Sequence, residues 1–215
     1  MIISSDFVFV HLQKTGGSFV EKFLLKNYND AYLVKPKHTG IYVLKSKVGK
    51  RMLLDSMIKF GCIRNPFDWY VSWWSANSKD GCGLLFPKIF KGERRKSFKK
   101  FMFYIMNKDF GRQHDLEGSI TQNRDIGIYT YRYLKSFSDP FTDEILVDSI
   151  IHTENMIEEL KNLFVLKGKV LSDLENMDKV HTSKHKDYRE YYDDELIDLV
   201  KHKDEIIIKR FNYEF

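Results

Sequence analysis

Four consecutive apolar residues, Phe7-Val8-Phe9-Val10, open a run that ends at Leu12, and polar residues then hold the chain until apolar positions return at helical spacing. A short unbroken apolar run is the pattern of a strand buried on both faces, so residues 7–12 are predicted as a strand and 18–27 as a helix. The pattern recurs, with 58–64 as the next strand and a helix starting at Pro66. Between them, 31–35 reads as a short strand ended by Pro36, and 40–50 as a weak helix. The glycines of Asp80-Gly81-Cys82-Gly83 break the Pro66 helix. Phe98, Phe101, Met102 and Ile105 share one helical face and predict a helix over 97–107. Residues 110–118 read as loop and 122–137 as helical. An apolar-rich strand is expected at 144–151. Thr153 then caps a helix whose buried stripe is Met156, Ile157, Leu160, Leu163 and Phe164. The last helix spans 193–211, with acids in its first turn and Lys209-Arg210 in its last, as the helix dipole favours. Strands alternating with helices predict an α/β fold in three layers, a parallel sheet with helices on both faces.

Composition narrows this picture. A chain of 215 residues with 43% hydrophobic content is expected to form one globular domain, 1–215, with a mostly helical insertion around 79–137. No apolar run approaches the roughly 18 residues of a membrane span. The first six residues carry neither a basic segment nor an apolar one, so no secretory leader is expected. Two cysteines, Cys62 in a predicted strand and Cys82 in a Gly-flanked loop, do not make a disulfide framework. Free thiols and a reducing, cytoplasmic location are the expectation. A net charge of +5 is not the signature of a nucleic-acid binder. Residues 88–112, however, hold nine Lys/Arg against two Asp/Glu, which suits either a solvated face or a surface for an anionic partner.

Two strand-to-helix turns carry candidate chemistry. In the first, Lys14-Thr15-Gly16-Gly17-Ser18 has glycines that let backbone N–H groups crowd an anion. Ser18 is placed to cap the helix, and Lys14 adds a full charge beside the helix N-terminus. The lysine precedes the glycines, unlike the nucleotide-triphosphatase order. In the second, Arg64 ends a predicted strand, Asn65 caps the following helix, and Ser72 lies near its second turn. The carboxyl ends of parallel strands are where open α/β sheets place ligands, and an Arg fork with a hydroxyl suits a phosphate.

Together the turns resemble those of the sulfotransferases that use PAPS (3′-phosphoadenosine 5′-phosphosulfate). His11-Leu12-Gln13-Lys14-Thr15-Gly16-Gly17-Ser18 is similar to their 5′-phosphosulfate loop, with Gln13 where proline is common. Arg64-Asn65-Pro66-Phe67-Asp68, followed by Ser72 and Trp74, is similar to their 3′-phosphate motif. The segment from His181 to Leu196, with Tyr188, Tyr191 and Tyr192, and the ending Phe211-Asn212-Tyr213-Glu214-Phe215 resemble the tail of carbohydrate sulfotransferases. The resemblance implies a P-loop-like sulfotransferase fold, PAPS as donor with PAP as product, and no required metal. It also implies transfer to a hydroxyl acceptor, a carbohydrate or an anionic one. Lys14, Thr15, Gly16, Gly17, Ser18, Arg64 and Ser72 would hold the nucleotide, and Thr182, Ser183 and Lys184 would lie in a loop that closes over it. Lys14 would also meet the charge of the leaving oxygen.

An attacking hydroxyl needs a base, and an imidazole with its ordinary pKa near 6.5 suits one. His38 is preferred because it follows a short strand at the sheet edge of Lys14, and because uronosyl sulfotransferases of the family carry a His between the two motifs. Lys37 beside it is expected to bear on that imidazole. His11 is read as packing or hydrogen-bonding near the loop; His114, His152, His181, His185 and His202 are weaker candidates, and Glu117 and Glu154 stay open. Among Trp69, Trp73 and Trp74 at least one is expected in the core, with Trp74 bordering a ligand. Two alternatives are weighed: a P-loop small-molecule kinase, and an inactive PAP- or anion-binding module.

Overall fold

A computed structural model describes residues 1–45, 56–78, 92–107, 116–165 and 185–215. In chain order its elements are β1 (Ile2–Ile3), β2 (Phe7–Val10), α1 (Gly17–Asn27), β3 (Tyr32–Leu33), α2 (Ile41–Lys45), β4 (Ile58–Ile63) and α3 (Pro66–Ser78). Next come α4 (Glu93–Lys96), α5 (Phe98–Ile105), α6 (Ile128–Phe137), β5 (Ser149–His152), α7 (Met156–Val165), α8 (Asp194–Lys203) and α9 (Glu205–Phe211). The chain divides into two compact units, one of residues 1–64 and 133–182, the other of 65–132 and 183–215.

The first unit holds an α/β core. Its five-stranded sheet has the order β3-β1-β2-β4-β5. The β2-β4 and β4-β5 pairs are parallel, whereas β1 runs antiparallel to both β2 and β3. The sheet is thus mixed, not wholly parallel. The antiparallel edge comes from a hairpin at the start of the chain. Ser4 accepts at Oγ from the amides of Asp6 and Phe7, and its own amide donates to the Phe7 carbonyl. One sheet face presents Phe7, Phe9, Phe60, Cys62 and Ile151 to Phe19, Val20, Phe23 and Leu24 of α1 and to Leu160 and Phe164 of α7. Phe60 and Phe164 meet edge to face at 5.8 Å, a geometry aromatic quadrupoles favour. The other face is sealed at Gly61, where a Cβ would come within 2.2 Å of the Phe137 ring. Helices α1 and α7 thus cover one face, and Phe137 at the end of α6 reaches the other.

Strand β5 is shorter than predicted. Leu146 donates its amide to the Phe137 carbonyl, and Ser138 bridges Ile145, so the apolar stretch first packs at the end of α6. Only after Asp148 has exchanged bonds with Lys59 does the chain join the sheet. Thr153 does not cap α7. Its hydroxyl donates to the Ile63 carbonyl at 2.7 Å, and a 3-10 turn, Thr153–Asn155, intervenes.

The second unit is helical and aromatic. Asn65 Oδ1 accepts from the Phe67 amide, so the Asn-Pro start of α3 forms as the residue types dictate. Trp69 and Trp73 are fully buried, and Trp69 stacks on Tyr129 at 4.4 Å. The predicted last helix is broken into α8 and α9 at Asp204, whose buried carboxylate is drawn to Tyr70 and Thr130. The predicted helix over 122–137 begins only at Ile128, because Asn123 takes a left-handed conformation and Gly127 donates its amide to the Lys203 carbonyl.

Candidate functional site

The loop between β2 and α1 is wound by two left-handed residues, Lys14 (φ 66°) and Gly16 (φ 73°). A non-glycine residue in this region is strained, and such strain gathers at ligand sites. Thr15 is buried beneath the turn, its hydroxyl donating to the Leu12 carbonyl at 2.8 Å. Both glycines are required by close approach. A Cβ on Gly16 would lie 2.3 Å from Met156 Cε, and one on Gly17 would lie 2.4 Å from the His11 ring. Helix α1 starts at Gly17 with Gly16 at its cap and no side chain capping it. Ser18, expected as the cap, sits inside the first turn and instead accepts from Lys37 Nζ at 3.4 Å. An uncapped helix start under a cationic side chain is suited to an anion.

Arg64 follows β4, the parallel neighbour of β2, and so reaches the same edge of the sheet. Its Nη1 donates to the Lys14 carbonyl at 3.4 Å. Burial, and then the nearby Arg64 charge, lower the Lys14 ammonium to about 8. Among the described residues no carboxylate forms an ion pair with Lys14. Two cations thus lie together at the carboxyl ends of adjacent parallel strands, the place where open α/β sheets bind ligands.

Behind the loop lies a charge network that sequence patterning does not reveal. His11 is buried at the end of β2, and its Nδ1 lies 2.8 Å from Glu21 Oε1. Lys37 Nζ lies 2.6 Å from Glu21 Oε2. Burial alone would raise Glu21, but hydrogen bonds from His11 and Lys37 outweigh it and hold the carboxyl at about 2. Burial lowers His11 despite its bond to Glu21, so at neutral pH a neutral imidazole donates Nδ1–H to a carboxylate. His38 Nδ1 donates to the His11 carbonyl at 2.9 Å, and the two rings meet edge-on at 4.8 Å. A carbonyl only accepts, so this bond places the His38 proton on Nδ1 and makes Nε2 the basic nitrogen. Lys37, expected to bear on His38, is paired with Glu21. Glu21 was missed because it reads as one polar position on an amphipathic helix. The available signal was its place among Phe19, Val20, Phe23 and Leu24 on the buried side, where a charge requires a partner.

The other candidates are placed as follows. Ser72 is buried in the second turn of α3, in the second unit. Thr182, Ser183 and Lys184 lie outside the described residues, as do Cys82, His114 and His181. His152 is hydrogen-bonded to Glu159, Glu154 is in the 3-10 turn after β5, and Glu117 is exposed. His185 faces Asp68, and His202 faces Asp125. Trp74 donates Nε1–H to the Arg94 carbonyl and packs edge-on against Phe98 and Tyr191. In the described part of the basic segment, Lys99 pairs with Asp193 and Glu195, and Arg94 stacks on Tyr104. Among the described residues no cluster of His, Cys, Asp and Glu is arranged for a metal ion, and no helix is long and apolar enough to cross a membrane.

Comparison with protein-family models, with characterised proteins and with solved structures found no match for this chain.

Proposed function

We propose that the chain is a PAPS-dependent sulfotransferase. The observation that carries this reading is the pairing of Lys14, in a left-handed turn at the end of β2, with Arg64, which bonds its carbonyl from the end of β4. Around that pair stand the uncapped start of α1 and Ser18, the donors a phosphosulfate requires. The donor supplies an activated sulfuryl group on a 5′-phosphate, and its transfer resembles phosphoryl transfer through a loose transition state. The protein's part is therefore position and charge. Lys14 neutralises the bridging oxygen as its bond to sulfur breaks, and the 15–18 amides hold the adjacent oxygens. Arg64 binds the 3′-phosphate. The resemblance also assigns Thr182, Ser183 and Lys184 to the nucleotide. His38 takes the acceptor hydroxyl's proton at Nε2, in a tautomer set by the His11 carbonyl. The acceptor is a hydroxyl compound, which the tail motifs suggest is a carbohydrate.

Calorimetric titration with PAP, ADP and ATP with Mg²⁺ tests the reading. PAP is expected to bind without metal and more tightly than ADP, which lacks the 3′-phosphate. Arg64→Ala is expected to erase that preference, a loss on the order of 1.5–3 kcal/mol. Equal wild-type affinity for PAP and ADP would overturn the assignment. Metal-dependent binding of ATP alone would point to a kinase.

A further inference from the structure

The sulfotransferase reading leaves His11 without a task, although this imidazole is buried at the end of β2, beside the 14–18 turn. Its two nitrogens face different groups. Nδ1 lies 2.8 Å from Glu21 Oε1, and an ionised carboxylate only accepts, so this nitrogen carries the proton. The basic nitrogen is therefore Nε2. It belongs to the ring edge that packs on Gly17, where a Cβ would come within 2.5 Å of it. Gly17 is the first residue of α1, so a proton taken up at Nε2 is set against the positive end of a helix. The charged and titratable groups that bear on the ring are Glu21 from α1 and Lys37 and His38 from the β3–α2 loop. Phe9 from β2 meets it only with an aromatic ring. The Lys37 ammonium and the Glu21 carboxylate offset each other at 2.6 Å. The His11 proton thus decides whether this network is neutral or carries a positive charge.

We propose that His11 is a positioning residue of the donor site whose protonation is coupled to the anion: an anion seated at the 14–18 turn draws a proton onto His11 Nε2, and the resulting imidazolium supports that anion from behind the turn. The proposal rests on the part of the sulfotransferase reading that places an anion at this turn, and it adds a proton-linked control of the same site. In the free protein burial opposes the imidazolium most, and the charges of His38 and Lys37 oppose it further. The start of α1 acts in the same sense. A bound anion reverses the potential at that helix start and favours the added proton. The coupling is reciprocal, so the proton strengthens anion binding by the factor by which the anion favours the proton. The sign with pH follows. His11 sits below its ordinary 6.5 in the free protein, and the anion raises it. Anion affinity therefore climbs as pH falls through the raised value and levels off below the free one. Glu21, held at about 2, stays ionised throughout, and Lys14, at about 8, is already charged.

The test uses inorganic sulfate, which keeps both charges between pH 7 and pH 5, with PAP and ADP at pH 7 as separate probes. Nitrogen-15 spectra of histidine-labelled protein follow each imidazole over that range, and the His11 signals are identified by their Overhauser contact with Gly17. Saturating sulfate is expected to move the His11 titration to higher pH. Sulfate affinity is expected to rise on the order of fivefold or more from pH 7 to pH 5. His11→Asn, whose amide still donates to Glu21 and takes up no proton, is expected to lose that rise, while His38→Gln keeps it. A His11 titration that bound sulfate leaves in place overturns the proposal, and this readout on the wild-type protein stands even where His11→Asn does not fold. A rise in affinity that survives in folded His11→Asn overturns it as well. Equal binding of PAP and ADP removes the sulfotransferase reading alone, since a His11 titration that follows sulfate still supports the coupling. Failure of sulfate, PAP and ADP all to bind removes both.

Discussion

Lys37 Nζ lies 2.6 Å from Glu21 Oε2, an ion pair between the β3–α2 loop and the helix that follows the Lys14–Gly16 turn. The other Glu21 oxygen holds His11, whose ring packs against Gly17 and whose carbonyl holds His38. One carboxylate thus ties the 14–18 turn to the loop that carries His38. Glu21→Gln is expected to destabilise the fold at neutral pH by roughly 2–3 kcal/mol. The sign with pH follows from the direction of the shift. A carboxyl held at about 2, below its ordinary 4.5, contributes fully above 4.5 and loses that contribution as pH falls through about 2. His11, lowered from 6.5 by burial, adds a loss of the same sign that begins as pH falls below 6.5. Denaturant unfolding at a series of pH values is expected to show the gap between wild type and Glu21→Gln closing between pH 4.5 and 2. A gap that stays constant over that range would remove Glu21 from this role.

Lys14 predicts a distinct pH response in binding. Its free-protein value of about 8 means that the ammonium loses its proton within the range of ordinary buffers. An anion binds the protonated form better, so PAP affinity is expected to decline as pH rises through 8. Lys14→Arg, charged throughout, is expected to lose that decline. Lys14→Ala is expected to lower transfer more than it weakens PAP binding, because the charge on the leaving oxygen is greatest in the transition state. Unchanged turnover in a folded Lys14→Ala protein would exclude it from catalysis.

His38→Ala is expected to reduce turnover by roughly 10²–10⁴ while leaving PAP affinity nearly intact. Single-turnover kinetics with saturating PAPS check this directly. Near-normal turnover would shift attention to Glu117, Glu154 and His11.

In the second unit, Asp204 accepts from Tyr70 Oη at 2.7 Å, from Thr130 Oγ1 at 2.7 Å and from the Thr130 amide at 2.9 Å. Burial raises its carboxyl although these bonds pull it down. Asp204→Ala strands these donors in a dry site and is expected to destabilise by roughly 2–5 kcal/mol. Thermal unfolding of the variant checks it. A change within experimental error would mean that the helix break at Asp204 is set by other contacts.

What the sequence determined is local. The apolar run at 7–10 is a strand because uninterrupted β-branched and aromatic residues suit a doubly covered sheet. Asn65-Pro66 starts a helix because a side-chain acceptor and a preset φ suffice, and Gly16-Gly17 marks a turn because glycine takes a left-handed φ at little cost. The positions of Lys14 and Arg64 at strand ends follow from those elements. What the tertiary structure decided depends on partners far along the chain. The 193–211 run has a continuous helical pattern, yet it breaks at Asp204, where Tyr70 and Thr130 bond the carboxylate and Gly127 bonds the Lys203 carbonyl. The 144–151 run is apolar throughout, yet the end of α6 takes its first half. The edge of the sheet turned antiparallel because the Ser4 turn lets two isoleucines pair with both β2 and β3. Glu21 became the center of the charge network behind the 14–18 turn for the same reason. Its charge is tolerable in a buried position only because His11 and Lys37 converge on it, and no periodicity within α1 encodes that convergence.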